Sequence, residues 1–172
     1  MRQVHFVLWC SGTAVDFKIK RAPACRVACV TEEGNYSDRA IRSSFTKVAQ
    51  WAASKGLGTG NWLFIEQEEK GNRIRWKACI EILGDAAAEG VFEIKTLKAT
   101  DVISVMFDPD EVSSRVVYHA INDWARWRKK DGTIARTGRF REIYHGDPWK
   151  DASAWKDIDV QLTIARRGKK GD

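Results

Sequence analysis

A repeat inside the chain limits the folds available to it more than any other feature of the sequence. Residues 17–30 align with residues 92–105 at a constant offset of 75, and six of the 14 aligned positions are identical. The identical pairs are Phe17/Phe92, Ile19/Ile94, Lys20/Lys95, Ala24/Ala99, Val27/Val102 and Val30/Val105. Each segment is typical of two strands or of one long bent strand. Because the chain of 172 residues has room for only two copies, the repeat indicates a duplicated domain and not a solenoid.

Each copy continues with an amphipathic helical pattern that begins at a capping residue and ends at a glycine. The first helix is expected between Ser37 and Gly56, and the second between Ser113 or Ser114 and Gly132. The apolar stripe of the first helix comprises Ile41, Phe45, Val48 and Ala52, with Trp51 beside it. The stripe of the second comprises Val117, Ile121 and Trp124, with Ala120 and Trp127 alongside. These stripes predict helices that cover one face of a sheet.

Two more strands are expected after each helix. They are Trp62–Gln67 and Arg73–Leu83 in the first copy, and Arg139–His145 and Asp157–Ala165 in the second. The predicted fold is therefore α+β, with a β-α-β-β module present twice, antiparallel sheets around a pseudo-two-fold axis and a central cleft between the copies. We expect one domain over residues 1–165, with copy one at about 16–83, copy two at about 91–165, and a basic tail at 166–172.

The positive charge of the chain is not evenly distributed. The formal net charge is +6, and half of this excess lies in the last eight residues. We therefore expect no direct binding of nucleic acid, although the basic isoelectric point would suggest it. No stretch reaches the roughly 18 apolar residues of a membrane span, and the apolar run near the N-terminus is too short for a secretory signal. A cytoplasmic protein is expected.

The cysteines and histidines do not suggest a metal or cofactor site. Cys25 and Cys29 lie four residues apart in a predicted strand, about 13 Å, which is too far for a bridge or for shared zinc ligation. The four cysteines are expected to be reduced thiols, and the three histidines are widely separated. We expect no metal ion and no cofactor.

Strand parity indicates a candidate binding site. Phe140, Glu142 and Tyr144 share one face of their strand, and the equivalent strand of the first copy places Trp62, Phe64 and Glu66 on one face. Trp76 alternates with charged residues on the neighbouring strand. A carboxylate between aromatic side chains suits a flat lipophilic cation. The alternative is that Glu142 pairs with Arg139 at an exposed edge. The eight tryptophans of the chain exceed what one modest core needs, which favours an aromatic-lined surface.

The second copy ends with a phrase that resembles a known family. Residues 141–148 read R-E-I-Y-H-G-D-P and are followed by Ala154-Trp155 and an alternating last strand. This phrase, with Gly34-Asn35-Tyr36 and Arg75-Trp76 in the first copy, is similar to the GyrI-like family, the effector-binding domains of multidrug-sensing MerR and AraC regulators and their stand-alone relatives. The resemblance implies a tandem SHS2-like repeat around a promiscuous cleft with Glu142 at its centre. Phe107 is a further candidate wall residue, and Asp108-Pro109-Asp110-Glu111 replaces the glycine–tyrosine turn of the first copy.

Three classes of function remain open at this point. Only 16 residues precede the region of resemblance, so we expect a stand-alone member without a helix-turn-helix. The favoured interpretation is a protein that binds lipophilic, aromatic and often cationic small molecules through Glu142, Tyr144, Trp76, Phe140, Trp62 and Phe107. The resemblance also allows a hydrolase that opens the cyclopropane of alkylating natural products, in which Glu142 would activate water and Tyr144 or Trp76 would orient the substrate. The third class is a protein-binding module similar to a gyrase inhibitor, with gyrase or a regulator as its partner.

Overall fold

The computed structural model of the protein describes residues 4–10, 13–35, 37–70, 73–130 and 132–166, with the backbone alone for residues 4–10, 13–15 and 66–70. The elements of the first half are β1 Val4–Cys10, β2 Thr13–Ala22, β3 Cys25–Asn35, α1 Asp38–Ser54, β4 Gly58–Lys70 and β5 Arg73–Leu83. Those of the second half are β6 Glu93–Leu97, β7 Thr100–Phe107, α2 Ser114–Lys130, β8 Ile134–Tyr144, α3 Ala152–Lys156 and β9 Ile158–Arg166. The predicted α+β fold with a duplicated module is confirmed.

The two long helices begin where their capping residues predict. The Ser37 side chain accepts a hydrogen bond from the backbone N–H of Ala40 at 3.2 Å, which caps the first turn of α1. Gly56 follows α1 with a φ of +65°, a left-handed conformation that glycine adopts without strain. The predicted apolar stripes of both helices are buried. Trp127 is the exception, because its side chain is 57% exposed on the outer side of α2.

The strands form a single antiparallel sheet in which the two copies exchange their opening strands. The order is β1-β2-β7-β9-β8-β4-β5-β3-β6. Strand β2 of the first copy pairs with β7 of the second, and β6 of the second pairs with β3 of the first. Outward from the central pair β8 and β4, the order β9-β7-β2 on one side matches β5-β3-β6 on the other. The pseudo-two-fold axis therefore passes between β8 and β4.

Two short connections require this sheet to curl. Only Pro23 and Ala24 separate β2 from β3, although these strands lie six places apart in the sheet order. Two linking residues span at most about 11 Å. Six strand spacings in a flat sheet would amount to about 29 Å. The connection between β6 and β7, Lys98 and Ala99, imposes the same condition. The sheet must therefore bend until its two ends approach each other.

The curl gives the sheet two different faces. The helix face carries α1 and α2 over the main core, in which Phe17, Phe45, Ile80, Ile103 and Ile121 are fully buried. The inner face, which the curl encloses, carries a small apolar cluster of Val27, Cys29, Leu63 and Cys79. It also carries a set of buried polar residues that includes Ser104, Arg141, Asp159 and Gln161. Successive residues of each strand alternate between these two faces.

The prediction that all four cysteines are reduced was wrong for one pair. Cys29 on β3 and Cys79 on β5 stand directly opposite each other in the register, with Cα atoms 4.1 Å apart, and form a disulfide. Cys25 is a free, partly buried thiol. Cys25 and Cys29 do not pair with each other, as their spacing predicts. The partner of Cys29 lies 50 residues away, and the register of β3 on β5 that brings the two together is not visible in the sequence.

An ion-pair cluster holds the exchanged edge strand β6 in place. Glu93 on β6 accepts hydrogen bonds from Lys77 on β5 at 2.9 Å and from Thr31 on β3 at 3.0 Å, and it also pairs with Lys95. Hydrogen bonds from Lys95 and Lys77 lower the pKa of the Glu93 carboxyl from 4.5 to about 2. The ionised form is thus favoured in the folded protein.

Glu93→Gln is expected to lower the free energy of unfolding at neutral pH but not in strong acid. Because the folded pKa lies below the unfolded value, the stabilisation is fully present above about pH 4.5 and is lost as the pH falls towards 2. The expected loss at pH 7 is below about 1 kcal/mol, since the carboxylate is partly exposed. Urea titrations at pH 7, 4 and 2.5 measure it. The exposed Glu111→Gln variant is the control, and a difference that persists unchanged at pH 2.5 would contradict the assignment.

No helix of the described residues is long and apolar enough to cross a membrane.

Of the predicted basic tail, residues 166–172, the structure describes Arg166. Arg166 is the last residue of β9 and its Nε lies 3.0 Å from Oδ2 of Asp101.

Candidate functional site

A cavity of about 550 Å³ opens on the helix face, between the N-terminal ends of the two long helices. Strand β8 forms its floor, and the segment from β8 through α3 to β9 closes one side. The residues that line it are Asp38, Ile41, Phe107, Pro109, Ser114, Glu142, Tyr144, Pro148, Trp149, Trp155 and Ile158. Its volume falls within the range of small-molecule sites.

Glu142 is the central charged group of this cavity. Strand β8 is paired on both sides, with Phe64 of β4 and Val160 of β9 opposite Glu142, so its position is fixed by the middle of the sheet. Its side chain is half-buried. The hydroxyl of Tyr118 donates to Oε1 at 2.8 Å, and the hydroxyl of Tyr144 donates to Oε2 at 2.5 Å. Both phenols therefore orient the carboxylate, and Arg139 is exposed.

Aromatic rings surround the carboxylate and pack on one another. Tyr144 stacks on Trp155 with ring centroids 6.1 Å apart, and Trp149 packs on Phe45 at 5.6 Å. Phe107 ends β7 at the opposite wall and is 7% exposed. Tyr144, Trp155 and Trp149 are thus each held in part by a neighbouring ring.

The structure brings together three of the six predicted ligand-binding residues. Glu142, Tyr144 and Phe107 line the cavity. Trp76, Phe140 and Trp62 lie on the helix face, as parity predicts, but beneath the helices. Trp76 donates from Nε1 to the Ser44 hydroxyl at 3.1 Å under α1. Phe140 packs on Tyr118 of α2 at 4.5 Å, and Trp62 stacks on Phe45 of α1 at 5.3 Å. The side chain of Glu66 lies outside the described part.

Several lining residues were missed by the sequence reasoning. Trp149 and Trp155 come from the segment after the R-E-I-Y-H-G-D-P phrase, where no strand or long helix was expected. Asp38 and Ile41 come from the first turn of α1, and Ser114 from that of α2. A usable signal was present, since two tryptophans in a short polar segment next to the candidate strand are unusual for a surface loop.

The charge of the cavity is negative. Asp38 and Glu142 are acidic, and none of the described lining residues is lysine, arginine or histidine. Among the described residues, no group of histidine, cysteine, aspartate and glutamate side chains could hold a metal ion. The arrangement can therefore bind a cation through a carboxylate and through ring faces.

Comparison with known proteins points to one family. The profile of the GyrI-like small molecule binding domain matches residues 16–165. EcmrR in a complex with DNA superposes with a TM-score of 0.72 at 18% identity over 89% of this chain and 58% of that chain, so this chain spans little more than half of it. The EcmrR C-terminal domain gives a TM-score of 0.62 at 14% identity, with 89% and 99% covered.

A third similar structure carries a different description. A hydrolase from Listeria innocua superposes with a TM-score of 0.56 at 12% identity, covering 87% of this chain and 91% of that chain. No curated protein sequence matches this chain. At such identities the structural likeness establishes the fold.

Proposed function

Because the chain belongs to the GyrI-like family of small-molecule-binding domains, we propose that its cavity binds lipophilic aromatic cations. Glu142 would supply the counter-charge, and Tyr144, Trp149, Trp155 and Phe107 would supply the ring faces. The observation that carries the proposal is the position of the Glu142 carboxylate: it lies at the floor of an aromatic cavity whose described lining includes no basic residue.

The charge and the shape of a ligand contribute separately to its binding free energy. Each cation–π contact contributes about 0.5–2 kcal/mol when it is shielded from water, and several ring faces are available to one ligand. The carboxylate of a partly dry site adds an electrostatic contribution to the binding free energy of a cation, and a neutral ligand of the same shape does not gain it. A pair of ligands that differ only in charge therefore measures the contribution of the carboxylate directly.

The deciding experiment compares N-methylacridinium, which is permanently charged, with acridine at pH 8, where it is neutral. Binding is followed by quenching of tryptophan fluorescence, which Trp149 and Trp155 should report. We expect tighter binding of N-methylacridinium. Trp155→Phe should reduce the quenching amplitude, because it removes a tryptophan of the cavity. Trp127→Phe changes an exposed ring outside the cavity and should leave both the ligand-induced quenching and the affinity nearly unchanged. Equal affinities for the two dyes would contradict a cation site.

A second candidate function, the opening of a cyclopropane ring by water, is supported by one feature of the same site. The Glu142 carboxylate is held by two phenols, so it is oriented as a general base would need to be, and Tyr144 is placed to contact a substrate. Trp76 is hydrogen-bonded to Ser44 and does not line the cavity, so Tyr144 would be the residue that orients the substrate. Incubation with a cyclopropane-bearing alkylator, followed by mass spectrometry, tests turnover. A gain of one water that Glu142→Gln abolishes would establish the enzyme, and an unchanged substrate would exclude it.

A further inference from the structure

A second, smaller pocket of about 240 Å³ lies on the inner face of the sheet, away from the cavity described above. It is enclosed where the β2–β3 connection folds back over β8 and β9. The polar and charged residues that line it are Lys20, Arg21, Cys25, Asn61, Glu81, Arg141, His145, Asp159 and Gln161. Arg141 and Glu142 are consecutive on β8, so the two pockets lie on opposite sides of the same strand.

Arg141 is the dominant group of this pocket. Its side chain is 9% exposed, and burial lowers the pKa of the guanidinium. The Nε of Arg141 donates to Oε1 of Gln161 at 2.8 Å, which is the one hydrogen bond that the guanidinium makes to the described residues. The two terminal nitrogens are thus left to donate to water or to a group inside the pocket.

The nearest carboxylate is already occupied. Asp159, which is 2% exposed, accepts hydrogen bonds from Lys20 at 2.7 Å, from Ser104 at 2.6 Å and from Gln161 at 2.6 Å. It neutralises Lys20 and holds Gln161, which in turn orients Arg141. The network therefore positions the guanidinium without taking up its terminal donors.

Among the described lining residues, Arg141 is the cation that makes no ion pair with a carboxylate. Lys20 pairs with Asp159, and Arg21, whose side chain is half exposed, pairs with Asp101 outside the pocket. Glu81 accepts hydrogen bonds from the backbone N–H and the side-chain Nδ2 of Asn61 at 3.3 and 3.1 Å. Because Glu81 is then a lining carboxylate without a paired cation, its repulsion makes a monovalent anion suit the pocket better than a divalent one.

We propose that the inner-face pocket binds a small organic carboxylate, held end-on by the two terminal nitrogens of Arg141. A guanidinium and a carboxylate are both planar, and their two donors and two acceptors match in spacing. Lys20 is already paired with Asp159, and the Glu81 carboxylate disfavours a doubly charged oxyanion such as phosphate. This site does not share a lining residue with the cavity that contains Glu142.

Cys25 provides a reporter inside the pocket. Its thiol is free, and burial and the Glu81 charge raise the pKa of this thiol, while Arg141 lowers it. Iodoacetate is itself a small carboxylate, and iodoacetamide is its neutral counterpart. The ratio of their alkylation rates at Cys25, divided by the same ratio for glutathione at pH 8.5, measures the anion preference and cancels any change in thiol reactivity. Peptide mass mapping separates Cys25 from the other cysteines.

We expect the normalised ratio to exceed one and to fall about tenfold in Arg141→Met. The matched control is Arg139→Met, which removes an exposed arginine two residues away on β8 and should leave the ratio unchanged. Equal ratios in the wild type and Arg141→Met would overturn the proposal. If Arg141→Met does not fold, protection of Cys25 in the wild-type protein tests the proposal instead. Acetate should protect Cys25 from iodoacetamide saturably at constant ionic strength, and phosphate should protect less. Absence of protection by acetate would also overturn the proposal.

Discussion

Replacement of Glu142 by glutamine is expected to weaken the binding of N-methylacridinium by about 1–3 kcal/mol and to leave the binding of acridine nearly unchanged. The substitution preserves the shape of the side chain and leaves a carbonyl that can still accept from a phenol. It removes the negative charge between Tyr118 and Tyr144. Fluorescence titration of both dyes against both proteins gives the two differences directly.

The control for this prediction is Asp38→Asn at the start of α1. Asp38 is exposed, so water and salt weaken its attraction for a bound cation, and its loss should cost much less than that of Glu142. A similar loss for both dyes in Glu142→Gln would mean that the carboxylate acts only to hold the two tyrosines. Recognition would then depend on the aromatic rings alone.

Phe45→Ala is expected to lower the free energy of unfolding by about 3–5 kcal/mol. Phe45 is fully buried and lies at the centre of the aromatic packing. Its ring stacks on Trp62 at 5.3 Å, meets the edge of Tyr144 at 6.4 Å and packs on Trp149 at 5.6 Å. Truncation therefore leaves a cavity beneath the wall of the binding site. Urea denaturation followed by circular dichroism measures the change.

Phe92→Ala serves as the comparison for Phe45→Ala. Phe92 also stacks on a tryptophan, Trp51 at 5.2 Å, but its side chain is only partly buried. Its truncation should cost clearly less, because water can occupy part of the space that it leaves. Equal losses for the two variants would show that the aromatic packing around Phe45 is not the main source of stability in this region.

The arrangement of elements along the chain could be predicted from the sequence because it depends on local patterns. The stripe of Ile41 and Phe45, the cap at Ser37 and the alternation in β9 are each set by neighbours within a few residues. The repeat then required that whatever one half formed, the other formed as well. Parity also placed Glu142 and Tyr144 correctly on the face that carries the helices.

The features that could not be predicted from the sequence depend on contacts between distant segments of the chain. Parity states which face Trp76 and Phe140 share with Glu142, but not which positions on that face a helix covers. Both rings are covered, and the open part of the face lies instead beside Trp149 and Trp155, in a segment with no periodic pattern. The Cys29–Cys79 disulfide and the exchange of β2 and β6 likewise follow from register and sheet order, which leave no mark on either copy alone.

The exchange of the opening strands bears on the origin of the chain. A polypeptide with one copy would have a strand with no place in its own sheet and an open edge beside its second strand. Two such polypeptides would satisfy each other by trading that strand, as a symmetric dimer. The present chain joins two such copies covalently, so the two halves need not be identical in sequence. Glu142, whose carboxylate the structure places in the cavity, is on one copy only, and Phe64 stands opposite it on the other.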